Sequence, residues 1–260
     1  MAKLKQNSLA IVVGICSIAT LFVIWFLGVE HTKLQLVFPN PIEVFQYFFS
    51  SITNTIGQYT LQQHAFFSLR RVAIGYGLSS LTGIILGVGM GYSKTIEAIA
   101  SPIFNLIRPI PGLAWIPLAI LLFGIGEEAK WFIIFMGGFA NIVLNSYDGT
   151  NKVDQQLVGA AELLGANKVQ IFFQIILPSA VPYIFAGLQV SLSTSWMAVL
   201  AAEMVSSNEG CGWIITMGMN NGDTTQILAG MLAIGFIGFI LANLMRMLER
   251  RLCVWTVRGN

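Results

Sequence analysis

The chain has 260 residues, of which 55% are hydrophobic and 10% charged, with a formal net charge of +2. A soluble domain carries about a quarter charged residues. This composition, with a mean hydropathy of +0.74, therefore excludes a water-solvated globule and calls for lipid as solvent. The near-neutral balance by itself says little about partners, and no nucleic-acid partner is expected. Cys16, Cys211 and Cys253 lie far apart, with no paired-cysteine spacing and no metal framework.

A helix that crosses the hydrocarbon core needs ~20 apolar residues. Lys3 and Lys5 precede an apolar run, Ser8–Gly28. The run is longer than the ~7–15 residues of a signal peptide core, and no small-x-small site follows it, so it reads as a retained first span. The connection Glu30–Leu69 carries Pro39, Pro41 and the aromatic run Phe45 to Phe49, which predicts an interfacial helix. The further spans are Val72–Tyr92, Ile103–Phe123, Trp131–Tyr147, Tyr183–Ala202 and Gln226–Met245. Pro178 and Pro182 interrupt the stretch without charges between Lys168 and Glu203. Because proline breaks an ordinary helix interior, a short helix is predicted before Pro178 and a membrane helix from near Pro182. The expectation is an all-α membrane bundle of six spans in a single domain over 1–260.

Lysine and arginine placement orients the spans. With the N-terminus inside, the inner side collects Lys3, Lys5, Lys94, Arg108, Lys152, Lys168, Arg246, Arg250, Arg251 and Arg258. The outer side keeps Lys33, Arg70, Arg71 and Lys130. Both termini are then cytoplasmic. Arg70 and Arg71 fit either the outer interface or a helix buried in the bundle.

The inner connection Asp148–Val181 is the most informative segment. Asp154 is suited to N-cap a short helix carrying Leu157, Val158, Ala161 and Leu164. Gly165 is suited to end it in a left-handed conformation. Asn167 and Gln170 form a capping box for a second helix. The product is a helix–turn–helix with Gly159, Ala160 and Ala161 at its surface. On these grounds it fits equally an ordinary interfacial hairpin and an element that docks into a groove of a soluble partner.

Ala160-Ala161, three residues, Gly165, nine residues and Ile175-x-Leu177-Pro178 resemble the EAA signature of binding-protein-dependent ABC importer permeases. Further segments resemble the nitrate/sulfonate/taurine/bicarbonate branch. They are Ser68-Leu69-Arg70-Arg71 with Gly75-Tyr76, Arg108 to Leu118, Phe123-Gly124-Ile125-Gly126 with Lys130, Ala201-Ala202-Glu203-Met204, Gly210-Cys211-Gly212 and Trp255. The resemblance spans about 68–255. It departs at Gly159, where the signature has an acid, with Glu162 nearby on another helix face, and at Gln189, where the branch often has arginine.

The resemblance implies a type I importer permease fold whose inner loop is a cytoplasmic coupling helix. Gly159, Ala160, Ala161, Glu162, Leu164, Gly165, Ala166 and Pro178 are the expected ATPase-coupling residues. It implies a second permease copy, two cytoplasmic ATPase subunits that bind ATP and magnesium, and an extracytoplasmic solute-binding protein, all at a bacterial inner membrane. No cofactor is expected on this chain itself. The implied solute is a small anion, a sulfonate such as taurine first, with nitrate and bicarbonate next and a neutral pyrimidine-type or aromatic solute as a further option.

Polar residues within the spans are the candidates for the path. Ser191 and Ser195 share a face of the fifth span, beside Gln189, and Asn141 and Asn145 share a face of the fourth. For both pairs a path role stands beside interhelical hydrogen bonding. Arg108, before Pro109 and Pro111, fits interfacial anchoring or an anion-binding or gating role. Glu203, at the outer end of its span, fits solvation, gating or a structural hydrogen bond. Gly75, Ser79, Gly83, Gly87 and Gly91 recur every four residues, a pattern that lets helix backbones approach closely.

Lys94-Thr95 lacks the glycine a phosphate-binding loop needs, since Ser93 precedes it. His31 and His64 have no nucleophile, carboxylate or metal spacing around them. An intramembrane enzyme would need such a set. A secondary carrier would call for ion-coupling carboxylates in mid-span. The expected role is a transport subunit, with an ATP-independent carrier as the alternative.

Overall fold

The computed structural model describes residues 2–30 and 38–253. His31, Lys33, Trp255 and Arg258 lie outside the described residues. Eleven α-helices are described: α1 (Ala2–Glu30), α2 (Pro41–Ser50), α3 (Leu61–Tyr92), α4 (Lys94–Ile107), α5 (Ile116–Phe123), α6 (Glu127–Asn151), α7 (Gln155–Leu163), α8 (Lys168–Ile171), α9 (Leu177–Ser206), α10 (Cys211–Asn221) and α11 (Thr224–Leu252). A two-residue hairpin pairs β1 (Thr55–Ile56) with β2 (Tyr59–Thr60). Five helical runs are long and apolar enough to cross a membrane, and a bent pair makes a sixth.

Contacts divide the chain into two units. The first holds 1–62 and 214–233. Here Asn40 caps α2 by accepting from the Ile42 amide, and Phe45 of α2 meets Phe22 of α1 with ring centroids 5.5 Å apart. The Tyr47 hydroxyl donates to Gln226 Oε1 at 3.2 Å, while Gln226 Nε2 donates to the Ile214 carbonyl at 2.9 Å. A helix, α2, stands in the connection where an interfacial helix is expected. The second span starts at Leu61, well before the expected Val72.

The second unit holds 63–213 and 234–260. Its core is α6, with α3 and α9 packed on it through small residues. A Cβ added at Gly75 would fall 2.7 Å from Ile134 Cβ, and one at Gly83 3.0 Å from Ile142 Cβ. One at Gly91 would fall 2.7 Å from Thr150 Cβ. The glycine stripe of α3 is thus a backbone-close helix contact. The matching α6–α9 contact runs through Gly138 against Ser191 and Ser195, Gly187 against Asn145, and Gly149 against Tyr183. Ile133, Ile134, Ile142, Val143 and Val199 are fully buried within the helix contacts of this unit.

Two expectations about span boundaries need correction. The third span is not one helix: α4 and the segment Gly112–Phe123 meet at 86°. Pro109 and Pro111 each lack an N–H, and Pro111 is extended at φ −58°, ψ 142°, so the ladder stops after Ile107. Gly112 then lies against the backbone of Gly137, where an added Cβ would be 2.8 Å from its Cα.

Pro178, conversely, does not end a helix. The run from Lys168 to Ser206 is continuous, with a π turn at Phe172–Ile176 in which the Leu177 amide bonds the Phe172 carbonyl. A π turn widens the ladder by one residue, and the proline, whose missing N–H would otherwise leave a gap, sits in the first turn of α9.

Candidate functional site

The helix–turn–helix between α6 and α9 forms as its caps dictate. Asp154 accepts from the Gln156 amide at 2.9 Å. Asn167 and Gln170 satisfy each other's backbone amides at 2.9 and 2.8 Å, a complete capping box. Gly165 takes φ +83°, a left-handed value that glycine adopts without steric cost. The turn presents Leu163 and Leu164, 91% and 89% exposed, with Leu157 exposed on the preceding turn. Ala160, Glu162 and Gly165 are exposed as well, while Gly159, Ala161, Ala166 and Pro178 are half-buried. No side chain lies within 4 Å of a Cβ built on Gly159.

The candidate path residues fall in four places. At the α6–α9 contact, the Ser191 hydroxyl donates to the Gly138 carbonyl at 2.7 Å and the Ser195 hydroxyl to the Ile134 carbonyl at 3.2 Å. Both serines are fully buried. Asn141 Nδ2 donates to Thr194 Oγ1 at 3.4 Å, and Asn145 Nδ2 to the Asn141 carbonyl at 2.8 Å. These four residues therefore bond helix to helix or along α6. Gln189 faces the other way, donating to Glu249 Oε2 at 2.5 Å. It lines a groove of ≈ 510 Å³ between α9 and α11, with Ser193, Trp196, Met197 and Arg246. Arg108 is exposed at the C-cap of α4, apart from both.

Glu203 stands in the fourth place, and it is not solvated. It is fully buried. Ser68 Oγ donates to it at 2.8 Å, Arg71 Nη1 at 2.8 Å and the Gly212 amide at 2.9 Å. Arg71, 2% exposed, also donates from Nε and Nη2 to Glu127 at 2.9 and 2.7 Å. Its Nη2 and Nη1 further reach Glu209 Oε1 at 2.8 Å and the Glu209 carbonyl at 3.1 Å. Lys130 Nζ joins Glu127 at 2.8 Å and Ser207 Oγ at 3.2 Å. One guanidinium therefore ties α3 to α6, to α9 and to the α9–α10 connection.

The connection fits only because of its glycines. Gly210 has φ +107°, and a Cβ there would overlap the Glu203 carboxyl. His64 Nδ1 accepts from the Gly210 amide at 3.0 Å and its ring stacks on Trp213, so this histidine is bonded into the turn. Cys211 is fully buried, and burial pushes its thiol up to about 12. Sequence reasoning singled out Glu203 but missed Arg71, Glu127 and Glu209 as its neighbours. The available signal was charge inside apolar spans, which must be paired to persist there.

The comparisons with known proteins follow the same segments. Residues 79–253 match the model of the binding-protein-dependent transport system inner membrane component. The chain belongs to this family. A putative ABC transporter permease protein of Methanocaldococcus jannaschii is 34% identical over 96% of this chain and 94% of its own length. The taurine transport system permease protein TauC of Escherichia coli is 33% identical over 94% and 90%. The nitrate import permease protein NrtB of a Synechocystis strain is 33% identical over 90% and 86%. An inward-facing crystal structure of the MetNI methionine ABC transporter superposes with a TM-score of 0.63, at 18% identity, over 74% of this chain and 95% of that one. The permease is thus a multi-pass membrane protein and the transport subunit of an ABC importer, with the fold of a type I importer permease.

Proposed function

We propose that two copies of this permease form the path for a small anion, a sulfonate of the taurine class, driven by a separate pair of ATPase subunits that bind ATP and magnesium. An extracytoplasmic binding protein delivers the solute. The observation that carries the reading is the tip of α7. Two adjacent leucines stand about nine-tenths exposed beside a left-handed glycine, outside any span. Apolar side chains held out by a doubly capped turn suit a groove on a soluble partner.

The orientation from lysine and arginine placement puts that turn and both termini on the cytoplasmic side, where ATP is. Gly159 in place of the signature's acid leaves apolar contact, rather than an ion pair, as the main docking term. ATP acts by favouring one membrane conformation over the other. TauC favours a sulfonate, and NrtB, equally identical, makes nitrate the second reading.

The test is reconstitution with the ATPase and binding protein that this reading requires. ATP-dependent uptake of taurine is expected, and it is lost when Leu163 and Leu164 are both changed to Asp. Uptake by the permease alone, without ATP, refutes the importer reading. Uptake of nitrate but not taurine corrects the solute.

A further inference from the structure

We propose that Arg71 is a positioning residue for transport, with one permanent arm and one releasable arm. The permanent arm, on Glu203, fastens α3 to α9. The releasable arm, on Glu127 and Glu209, clasps the α9–α10 connection and opens as the path changes access. This rests on the importer reading above and adds to it a residue role that the solute and the ATPase do not specify.

The two arms differ in what their release would cost. Glu203 is fully enclosed, and its oxygens accept from Ser68, Arg71 and the Gly212 amide. Breaking that arm would strand a charge in a dry site, where no water can replace the guanidinium. Glu127 and Glu209 are 35% and 28% exposed. Each carboxylate can trade Arg71 for water on its own side, while Arg71, 2% exposed, keeps its charge paired with Glu203, so this arm costs less to open than the other.

Lys130 makes the exchange easier. Its ammonium, 6% exposed, already holds Glu127 at 2.8 Å and Ser207 at 3.2 Å, so Glu127 keeps a cation when Arg71 lets go. The far side of the connection stays fixed. The Gly210, Cys211 and Gly212 amides bond His64, Ser68 and Glu203. Movement is thereby confined to 207–209, hinged at Gly210, whose φ of +107° gives the chain its turn.

The experiment uses the reconstituted importer with Glu209→Gln and Glu127→Gln, compared with Glu203→Gln. Each keeps the side-chain shape and removes one charge. Hydrogen exchange is followed at 204–209 and at 64–72, alongside thermal stability, uptake and ATP hydrolysis without solute. Glu209→Gln is expected to raise exchange at 204–209 at least threefold. It should leave 64–72 protected and raise solute-independent ATP hydrolysis at least twofold. Glu203→Gln is expected to loosen both segments and to lower thermal stability.

In the wild type, exchange at 204–209 is expected to differ at least threefold between nucleotide-free and vanadate-trapped states. Equal exchange in the two states, or a Glu209→Gln variant that matches wild type in ATP hydrolysis and uptake, overturns the proposal while leaving a working importer. A wild type that shows no ATP-dependent uptake instead refutes the importer reading, and the exchange data then judge the clasp alone.

Discussion

Replacing Arg71 with methionine tests whether the buried network carries real energy. The change keeps an unbranched apolar stem and removes the guanidinium with its charge. Glu127 retains Lys130 at 2.8 Å, and Glu209, 28% exposed, turns to water. Glu203 has neither escape: it is fully enclosed and keeps only Ser68 and one backbone amide. Removing one partner of a buried pair costs about 3–5 kcal/mol, so Arg71→Met is expected to destabilise the permease by that amount. Adding Glu203→Gln removes the stranded charge and keeps an acceptor for Ser68. The double variant should therefore lose about 1–3 kcal/mol less than the sum of the single losses, within the range found for coupled neighbours. Unfolding by SDS titration in mixed micelles, followed by tryptophan fluorescence, measures all three variants. Losses that add to within about 0.5 kcal/mol would falsify the coupling.

Gly165→Val places a β-branched side chain at φ +83°, a cost of about 1–2 kcal/mol. The spans should fold normally while ATPase affinity, read by co-purification, falls about tenfold; Gly165→Asn should be milder, and unchanged affinity for Val would dissociate the turn from docking. Gly87→Leu drives side-chain atoms into Ser146, which a bare Cβ would already approach to 2.7 Å. Yield of folded protein should collapse, whereas Gly77→Leu, with no atom within 4 Å of its Cβ, should express as wild type; equal yields would refute the α3–α6 contact. Ser191→Ala with Ser195→Ala removes two buried bonds to α6 carbonyls, at about 0.6 kcal/mol each. Uptake should change while the ATPase still co-purifies, and uptake equal to wild type would leave the pair as helix-to-helix bonds alone.

The turn at 154–170 was legible residue by residue, because caps act locally. Asp154, Gly165, Asn167 and Gln170 each do what their side chain or its absence dictates, independent of any distant partner. The glycine stripe of α3 was legible for a similar reason, since a repeat of small residues every four positions leaves little but close helix approach. What escaped was whatever depends on a partner far along the chain. Glu203 could not be told from a solvated carboxylate until Arg71, 132 residues away, was seen beside it. Ser191 and Ser195 were legible as a shared face, but the sequence does not say that this face meets carbonyls of α6. Proline misled at Pro178, where a single π turn absorbs the missing donor, and was underweighted at Pro109 and Pro111. There two prolines within three residues leave too many carbonyls unpaired for one straight span.

The π turn also bears on how force would travel through the permease. Backbone groups freed by a helix break in lipid need partners from neighbouring helices or local π adjustments, and the π turn at Phe172–Ile176 is such an adjustment beside Pro178. Here the helix runs on from the Asn167 cap to Ser206, 39 residues or ~58 Å at the usual rise, although Pro178 and Pro182 each omit one ladder donor. The 154–170 turn, proposed above to dock on the ATPase, stands at one end of that run and Glu203 near the other. If it docks, a displacement at the start of this continuous helix would pass along it, bending at most near Pro182, as movement over α6. The contact it moves across is lined by Gly137, Gly138, Gly149 and Gly187. With few long side chains to unlock, backbones can slide there, held by the Ser191 and Ser195 hydroxyls. The end of such a slide is a carboxylate that cannot be solvated. It must carry Arg71 and α3 with it, which leaves the exposed bonds to Glu127 and Glu209 as the place where the structure yields.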